Sequence, residues 1–298
     1  MPQPPSPATV AVQLAEWYRR NARDLPWRRR EFHDVYGAWG TLVSEFMLQQ
    51  TPVNRVIPHL QAWLSRWPDP QSMAEASPAD VVRQWANLGY PRRSLWLHRA
   101  ALEITRRHEG RVPRDVESLL ALSGIGDYTA RAVAVFAYGD RHPVVDTNTR
   151  RVLARAIEGR AQPGAASRRD LALMESLLPS SAADSAVFNA AAMELGATVC
   201  TARAPKCARC PLRADCAWLA AGMPETDGSR RRQPAYEGSD RQARGAVLRM
   251  LRDAGGRPVA VADVIPDWPD QLQRDRAMDS LIADGLAEAS ERGLSLPR

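Results

Sequence analysis

Lysine is nearly missing from this 298-residue sequence: of 40 basic residues only Lys206 is lysine. Arginine stays protonated and is a poor amine nucleophile, so a mechanism that needs an internal lysine Schiff base has one candidate in the chain. Cysteine is scarce too, with four residues, and all four fall within 17 positions. No run approaches the ~20 apolar residues that span a bilayer. Met1 to Pro7 lacks the basic and apolar regions of a signal peptide, which predicts a cytoplasmic protein. A series of alternating apolar and polar strands is also missing, and no repeat of solenoid period is found.

What is present reads as a globular chain. Hydrophobic residues make up 45% and charged residues 25%, which argues against disorder. The length suggests about two compact units and a core large enough to need no disulfide staples. The net charge is +6. From Met223 onward there are 12 arginines against 13 acidic residues, or −1, so the first 222 residues carry +7. A basic body with a near-neutral tail suggests a polyanionic partner bound mainly by the body.

Helical periodicity runs through the first 220 residues: Val10 to Asn21, Trp39 to Leu48, Thr51 to Trp67, Pro78 to Trp85, Arg92 to His108, Val116 to Leu122 and Tyr128 to Tyr138. It continues over Asn148 to Ile157, Ser167 to Leu178 and Ala182 to Leu195. Gly222 to Gln242, with three arginines at 230 to 232, reads as a linker. Helices near Ala243 to Arg252, Val261 to Ile265 and Gln271 to Leu286, then two short strands, follow in winged-helix-like order. The fold class expected is mainly α.

Cys200, Cys207, Cys210 and Cys216 are spaced C-x6-C-x2-C-x5-C. Four thiolates in one short loop can wrap one metal centre. Zinc sites of four cysteines usually show two close pairs, and only Cys207 and Cys210 form one here. Two disulfides are disfavoured in a chain with no sign of export. The spacing points to a metal or cluster without choosing which.

Leu122-Ser123-Gly124-Ile125-Gly126-Asp127-Tyr128-Thr129 opens an apolar helix. Two glycines around one aliphatic residue permit a tight turn that exposes backbone N–H groups at a helix start, a ready anion site. No strand precedes it, which argues against a dinucleotide fingerprint. Downstream, Asp146 stands just before a helix, where capping is the simplest role for it.

Together these segments resemble the endonuclease III and MutY superfamily of DNA glycosylases, over residues 10 to 220. The cysteine spacing is similar to its 4Fe-4S loop, and Met193 to Val199 looks like the segment leading into that cluster. Leu119, Leu122 and Ile125 look like the anchors of its helix-hairpin-helix, which grips backbone phosphates without reading sequence. The resemblance implies a 4Fe-4S cofactor on the four cysteines and phosphate contacts at Gly124, Gly126 and Thr129. Arg203, Lys206 and Arg209 of the cysteine loop would face DNA.

It implies a division as well. Residues 9–33 and 143–222 would form the iron-sulfur helical module and 34–142 the six-helix module with the hairpin. Residues 223–242 would be the linker and 243–298 a small winged-helix-like unit. The lysine of bifunctional members is matched here by Tyr128, so base removal without lyase chemistry is expected.

Cleaving the bond to a purine requires a proton for the leaving base and a carboxylate for the cationic sugar. By the resemblance, Glu45 in Ser44-Glu45-Phe46-Met47-Leu48-Gln49-Gln50-Thr51 is the acid and Asp146 the stabilising carboxylate, with Tyr128 and Asn148 lining the catalytic pocket. Trp27, Arg28, Leu48, Thr51 and Glu194 match adenine-pocket positions. Gln50 matches the wedge that enters the duplex as the base leaves, and Tyr90 a residue that stacks beside the opposing lesion. Extrusion is required because the scissile bond is inaccessible inside a duplex.

The implied activity is removal of adenine mispaired with 8-oxoguanine or guanine in double-stranded DNA, by a monomer associated with the nucleoid if bacterial. The tail holds no Phe-Ser-His loop of the kind that reads 8-oxoguanine in the family. A mismatch thymine glycosylase of the same fold, and a noncatalytic iron-sulfur DNA-binding regulator, are the alternatives.

Overall fold

A computed structural model describes residues 6–225 and 235–298. Arg230 to Arg232 and much of the expected linker lie outside them, as does most of the segment before Pro7. The described residues are mainly helical, as expected. In chain order the helices are α1 (Pro7–Asn21), α2 (Arg30–Leu48), α3 (Val53–Arg66), α4 (Pro70–Ala74), α5 (Pro78–Trp85), α6 (Arg92–Arg107), α7 (Val116–Leu120) and α8 (Asp127–Tyr138). They continue with α9 (Thr147–Ala156), α10 (Arg168–Leu177), α11 (Ala182–Thr198), α12 (Ala217–Ala220), α13 (Asp240–Asp253) and α14 (Gln271–Ala283). Strands β1 (Glu288–Ser290) and β2 (Gly293–Ser295) pair antiparallel, with Ala289 opposite Leu294.

Caps set most of these boundaries. Ser6, Ser77, Asp146, Ser181 and Asp270 each accept a backbone N–H two or three residues into the helix they precede. Several elements differ from the sequence reading: the helix expected near Val261 to Ile265 is a single 3-10 turn at Val261–Asp263, and the short α12 was not expected. Helix α2 begins at Arg30 rather than Trp39, because Gly37 (φ 50°, ψ −138°) breaks the periodicity and an extra helical stretch precedes the kink. The short α4 follows Asp69, whose side chain forms a capping box with Ser72, a signal hidden among prolines.

Residues divide into two compact units: 6–41, 114–120 and 125–225 in one, and 42–113, 121–124 and 235–298 in the other. The first has its core where α1, α9, α10 and α11 meet: Leu14, Leu153, Met174, Phe188 and Leu195. In the second, Trp63 packs edge-on against Trp67 and Trp85. The same unit contains a core that joins Val82 of α5 to Val247, Leu251, Leu281 and Leu294 of the C-terminal segment. No described helix is long and apolar enough to cross a membrane.

Candidate active site

The hairpin between α7 and α8 turns at Gly124, whose φ of 76° favours glycine. A Cβ there would also fall 2.7 Å from Cβ of Trp96 and 3.0 Å from the Phe46 ring. Ser123 is clamped by Glu103, which accepts from its N–H and its hydroxyl at 2.8 Å each. Gly126 precedes α8 and supplies no side-chain cap to its first N–H groups. Thr129 is buried on the first turn of α8. Tyr128 is half-buried and packs against the cluster of Ala132, Val135 and Val144.

Asp146 is the N-cap of α9. Its Oδ1 accepts from the Thr149 N–H at 2.7 Å, and its Oδ2 from Asn148 Nδ2 at 2.7 Å. Asn148 is oriented in turn by Arg151, whose guanidinium donates to Asn148 Oδ1 at 2.8 Å, to the Gly196 carbonyl at 2.6 Å and to the Cys200 carbonyl at 2.6 Å. This approach of α9 to α11 requires glycine at 196, since a Cβ would lie 2.6 Å from the Asn148 carbonyl oxygen. Upstream, the buried Asn189 amide accepts from Val144 N–H and donates to the His142 carbonyl, fixing the extended segment that delivers Asp146. Capping and a catalytic task are compatible here, because the cap holds the carboxylate in one orientation.

Glu194 is fully buried and accepts from Arg23 Nε (2.7 Å) and Arg28 Nη2 (2.8 Å). Burial works against its charge, but hydrogen bonds and the positive charge of the two arginines outweigh that and lower its pKa. Arg28 also lies over the Tyr18 ring, 5.3 Å from its centroid. The Glu194 carboxylate thus orders the loop carrying Trp27 and Arg28.

Glu45, Leu48, Gln50, Thr51 and Tyr90 belong to the other compact unit. Glu45 is 5% exposed, among Leu42, Val43, Phe46 and Met47. Gln50 and Tyr90 have φ of 54° and 46°, a backbone region that costs energy for residues other than glycine. Their loops are tied by Arg93, which the sequence reading missed. Buried on α6, it donates to the carbonyls of Phe46 (2.7 Å), Gln49 (2.6 Å) and Gly89 (3.0 Å), and to Thr51 Oγ1 (2.9 Å). Burial lowers its pKa to about 10, still well above neutrality. Thr51 serves here as a brace, its hydroxyl also reaching the Leu88 carbonyl at 3.5 Å.

The four cysteines are free and half-buried and line one cavity of about 20 Å³ with Arg155 and Leu212. Burial pushes the Cys210 thiol up to about 12, and the other three cysteines add to the rise. Backbone groups of Leu212, and of Trp218 and Leu219, hydrogen-bond Cys210 and Cys216. A metal centre bound here would hold the thiols as thiolates. Among the described residues no three His, Cys, Asp or Glu side chains gather closely enough to hold a single metal ion. A cluster, which interposes its own irons and sulfides between thiolates, asks for a wider arrangement. Arg203, Lys206 and Arg209 are exposed in this loop.

Residues 43–173 match the HhH-GPD superfamily base excision DNA repair protein family. A solved thermostable thymine-DNA glycosylase superposes with a TM-score of 0.65 at 23% identity, covering 72% of this chain and 97% of that one. Endonuclease III in a trapped covalent DNA complex superposes at 0.61 with 18% identity, covering 74% and 100%. The fold and hairpin are therefore those of a helix-hairpin-helix base excision repair protein. The adenine DNA glycosylase of Mycolicibacterium smegmatis is 52% identical over 283 residues, covering 95% of this chain and 94% of that protein. The human adenine DNA glycosylase is 41% identical over 213 residues, covering 68% and 38%. The chain belongs to the adenine DNA glycosylase family.

Proposed function

We propose that the protein is a monofunctional glycosylase that hydrolyses the N-glycosidic bond of adenine mispaired with 8-oxoguanine or guanine in double-stranded DNA. The observation that carries this is the held carboxylate of Asp146, locked through both oxygens in a chain whose hairpin helix offers Tyr128 where an amine nucleophile would be needed. Glu45 gives a proton to the extruded adenine as the bond to C1′ breaks. The sugar becomes an oxocarbenium ion facing the Asp146 carboxylate, and water adds at C1′ and gives a proton back to the Glu45 carboxylate. Water supplies the oxygen, and the products are free adenine and an abasic site.

The donor set fits a 4Fe-4S cluster on Cys200, Cys207, Cys210 and Cys216. When bound, such a cluster would supply rigidity to the loop carrying Arg203, Lys206 and Arg209 rather than a step in base removal.

The test is a single-turnover panel of duplexes with adenine opposite 8-oxoguanine, adenine opposite guanine and thymine opposite guanine, each product treated with and without alkali. Adenine release with alkali-dependent strand breaks is expected. Preferred thymine release, or scission without alkali, would overturn the reading.

A further inference from the structure

The cysteine loop carries a single acidic residue. Between Cys200 and Cys216 stand four cations, Arg203, Lys206, Arg209 and Arg213, and one carboxylate, Asp215. Attraction between opposite charges would pair Asp215 with one of them, Arg213 being only two positions away. Among the described residues it forms no ion pair. Its Oδ2 accepts instead from Nε2 of Gln13, on α1, at 3.1 Å. The two residues are 202 positions apart in sequence and belong to one compact unit.

This bond crosses an apolar seam. Val10 and Leu14 of α1 share one core with Leu212 of the loop, and Cys200, Cys210 and Cys216 pack against that core. Gln13 supplies a polar link between the same two elements. Its other amide atom, Oε1, is buried and meets no donor among the described residues. A buried acceptor without a donor destabilises a fold, and an apolar side chain at position 13 would pack there without that penalty. The amide therefore has a task that packing does not explain. Asp215 directly precedes Cys216, the last of the four cysteines. Fixing Asp215 fixes the end of the loop and keeps its one carboxylate out of ion pairs with its four cations.

We propose that Gln13 and Asp215 form a latch by which α1 holds the cysteine loop closed on its metal centre. Gln13 is then a positioning residue for metal retention, reaching the ligands through Asp215. The nature of that centre, a 4Fe-4S cluster, rests on the function proposed above; the latch is a contact between the chain's own side chains and does not. Contacts of this outer kind orient metal ligands, and their loss typically lowers metal affinity by about 10–100-fold. The orphaned Oε1 also sets a sign for Asp215. Asp215→Asn keeps an acceptor for Gln13 Nε2 and adds an N–H donor within reach of Oε1, so it strengthens the latch while removing the charge.

The test uses the purified full chain as wild type, Gln13→Leu and Asp215→Asn. Iron release to a chelator is followed by the fading of the visible absorbance. Trypsin cleavage after Arg203, Lys206, Arg209 and Arg213 is followed separately by mass spectrometry and needs no metal. Gln13→Leu should release iron roughly tenfold faster and be cut faster in the loop, with no change in cleavage elsewhere. Asp215→Asn should match or exceed wild type in both resistances. Wild-type rates of iron release and loop cleavage in Gln13→Leu would overturn the latch. Equal losses in Gln13→Leu and Asp215→Asn would overturn it as well, by tracing the effect to charge rather than to the bond, and faster cleavage throughout Gln13→Leu would trace it to the fold. Protein that carries no iron, yet is cut faster in the loop when Gln13 is replaced, would sink the cluster and leave the latch standing.

Discussion

Arg93 Nη1 donates to the Gln49 carbonyl at 2.6 Å, joining residues 44 apart in sequence at the end of α2. The same guanidinium reaches Gly89, so one buried cation sets both strained loops. Arg93→Met leaves several carbonyls without a donor and should cost about 2–3 kcal/mol of stability. It should weaken duplex binding more than it slows saturated cleavage. Arg93→Lys recovers charge but not the fork of donors, and should rescue only partly. Thermal melts with binding and single-turnover assays check all three outcomes.

Asp146→Asn separates capping from catalysis. Asparagine is as good an N-cap as aspartate, so the melting temperature should barely change. Base removal should fall at least a hundredfold, because an amide cannot neutralise an oxocarbenium ion. A variant with near-normal cleavage would confine Asp146 to capping α9.

Gly196→Ala probes the approach of α9 to α11. The added methyl would meet the Asn148 carbonyl at 2.6 Å, and parting the helices should cost about 1–3 kcal/mol. The Arg151 bonds to Gly196 and Asn148 would stretch with it, so cleavage should drop while duplex affinity holds. Equal cleavage by the alanine variant would show that the Asp146 segment tolerates the shift.

Glu194 gives a pH dependence with a defined sign. Its folded pKa lies below the ordinary carboxylate value, so its stabilisation is present above that ordinary value and is lost as pH falls through the folded one. Glu194→Gln should be less stable than wild type at pH 7 by about 2 kcal/mol, a figure reduced because Arg23 and Arg28 are partly exposed. The gap should close in acid. Denaturant unfolding of both proteins at pH 7 and below pH 4 would show it, and a constant gap would contradict the assignment.

For the cysteines, purified protein should be yellow-brown with about four irons per chain. Colourless protein with one zinc, active on DNA, would replace the cluster by a single ion. Metal analysis decides.

Much of this was readable in advance, and the misses have physical reasons. Pro78–Trp85 is a helix with the bounds its sequence implies, because Ser77 caps it and its apolar positions repeat at helical spacing. The cap at Asp146 was visible for the same reason. Arg93 was not, although it falls on the stripe that also buries Leu97, Ala100, Ala101 and Ile104. A charged residue on an apolar stripe is the available signal, and it points to carbonyls left open by another helix end. Asn189 escaped notice because α11 buries residues on every side and shows no preferred face. Glu194 was singled out as a pocket residue; its two arginine partners, 166 and 171 residues away, could not be paired with it from one sequence. The extra helical stretch before Gly37 holds Phe32, Val35 and Tyr36 at helical spacing, a signal the sequence reading passed over; none of residues 30–36 is buried.

The shared core of Val82 with Val247, Leu251, Leu281 and Leu294 bears on how the protein behaves when cut. The covalent link between residues 225 and 235 is not what retains the C-terminal segment; buried side chains and the Arg252 bond to Ala86 are. A protease nick in that interval should yield two fragments that co-elute as one particle and part only in denaturant. Separately expressed pieces should reassemble by fragment complementation. Exchange of this segment between relatives by recombination would have to carry matching changes in α5, so the two stretches are expected to be inherited as a pair.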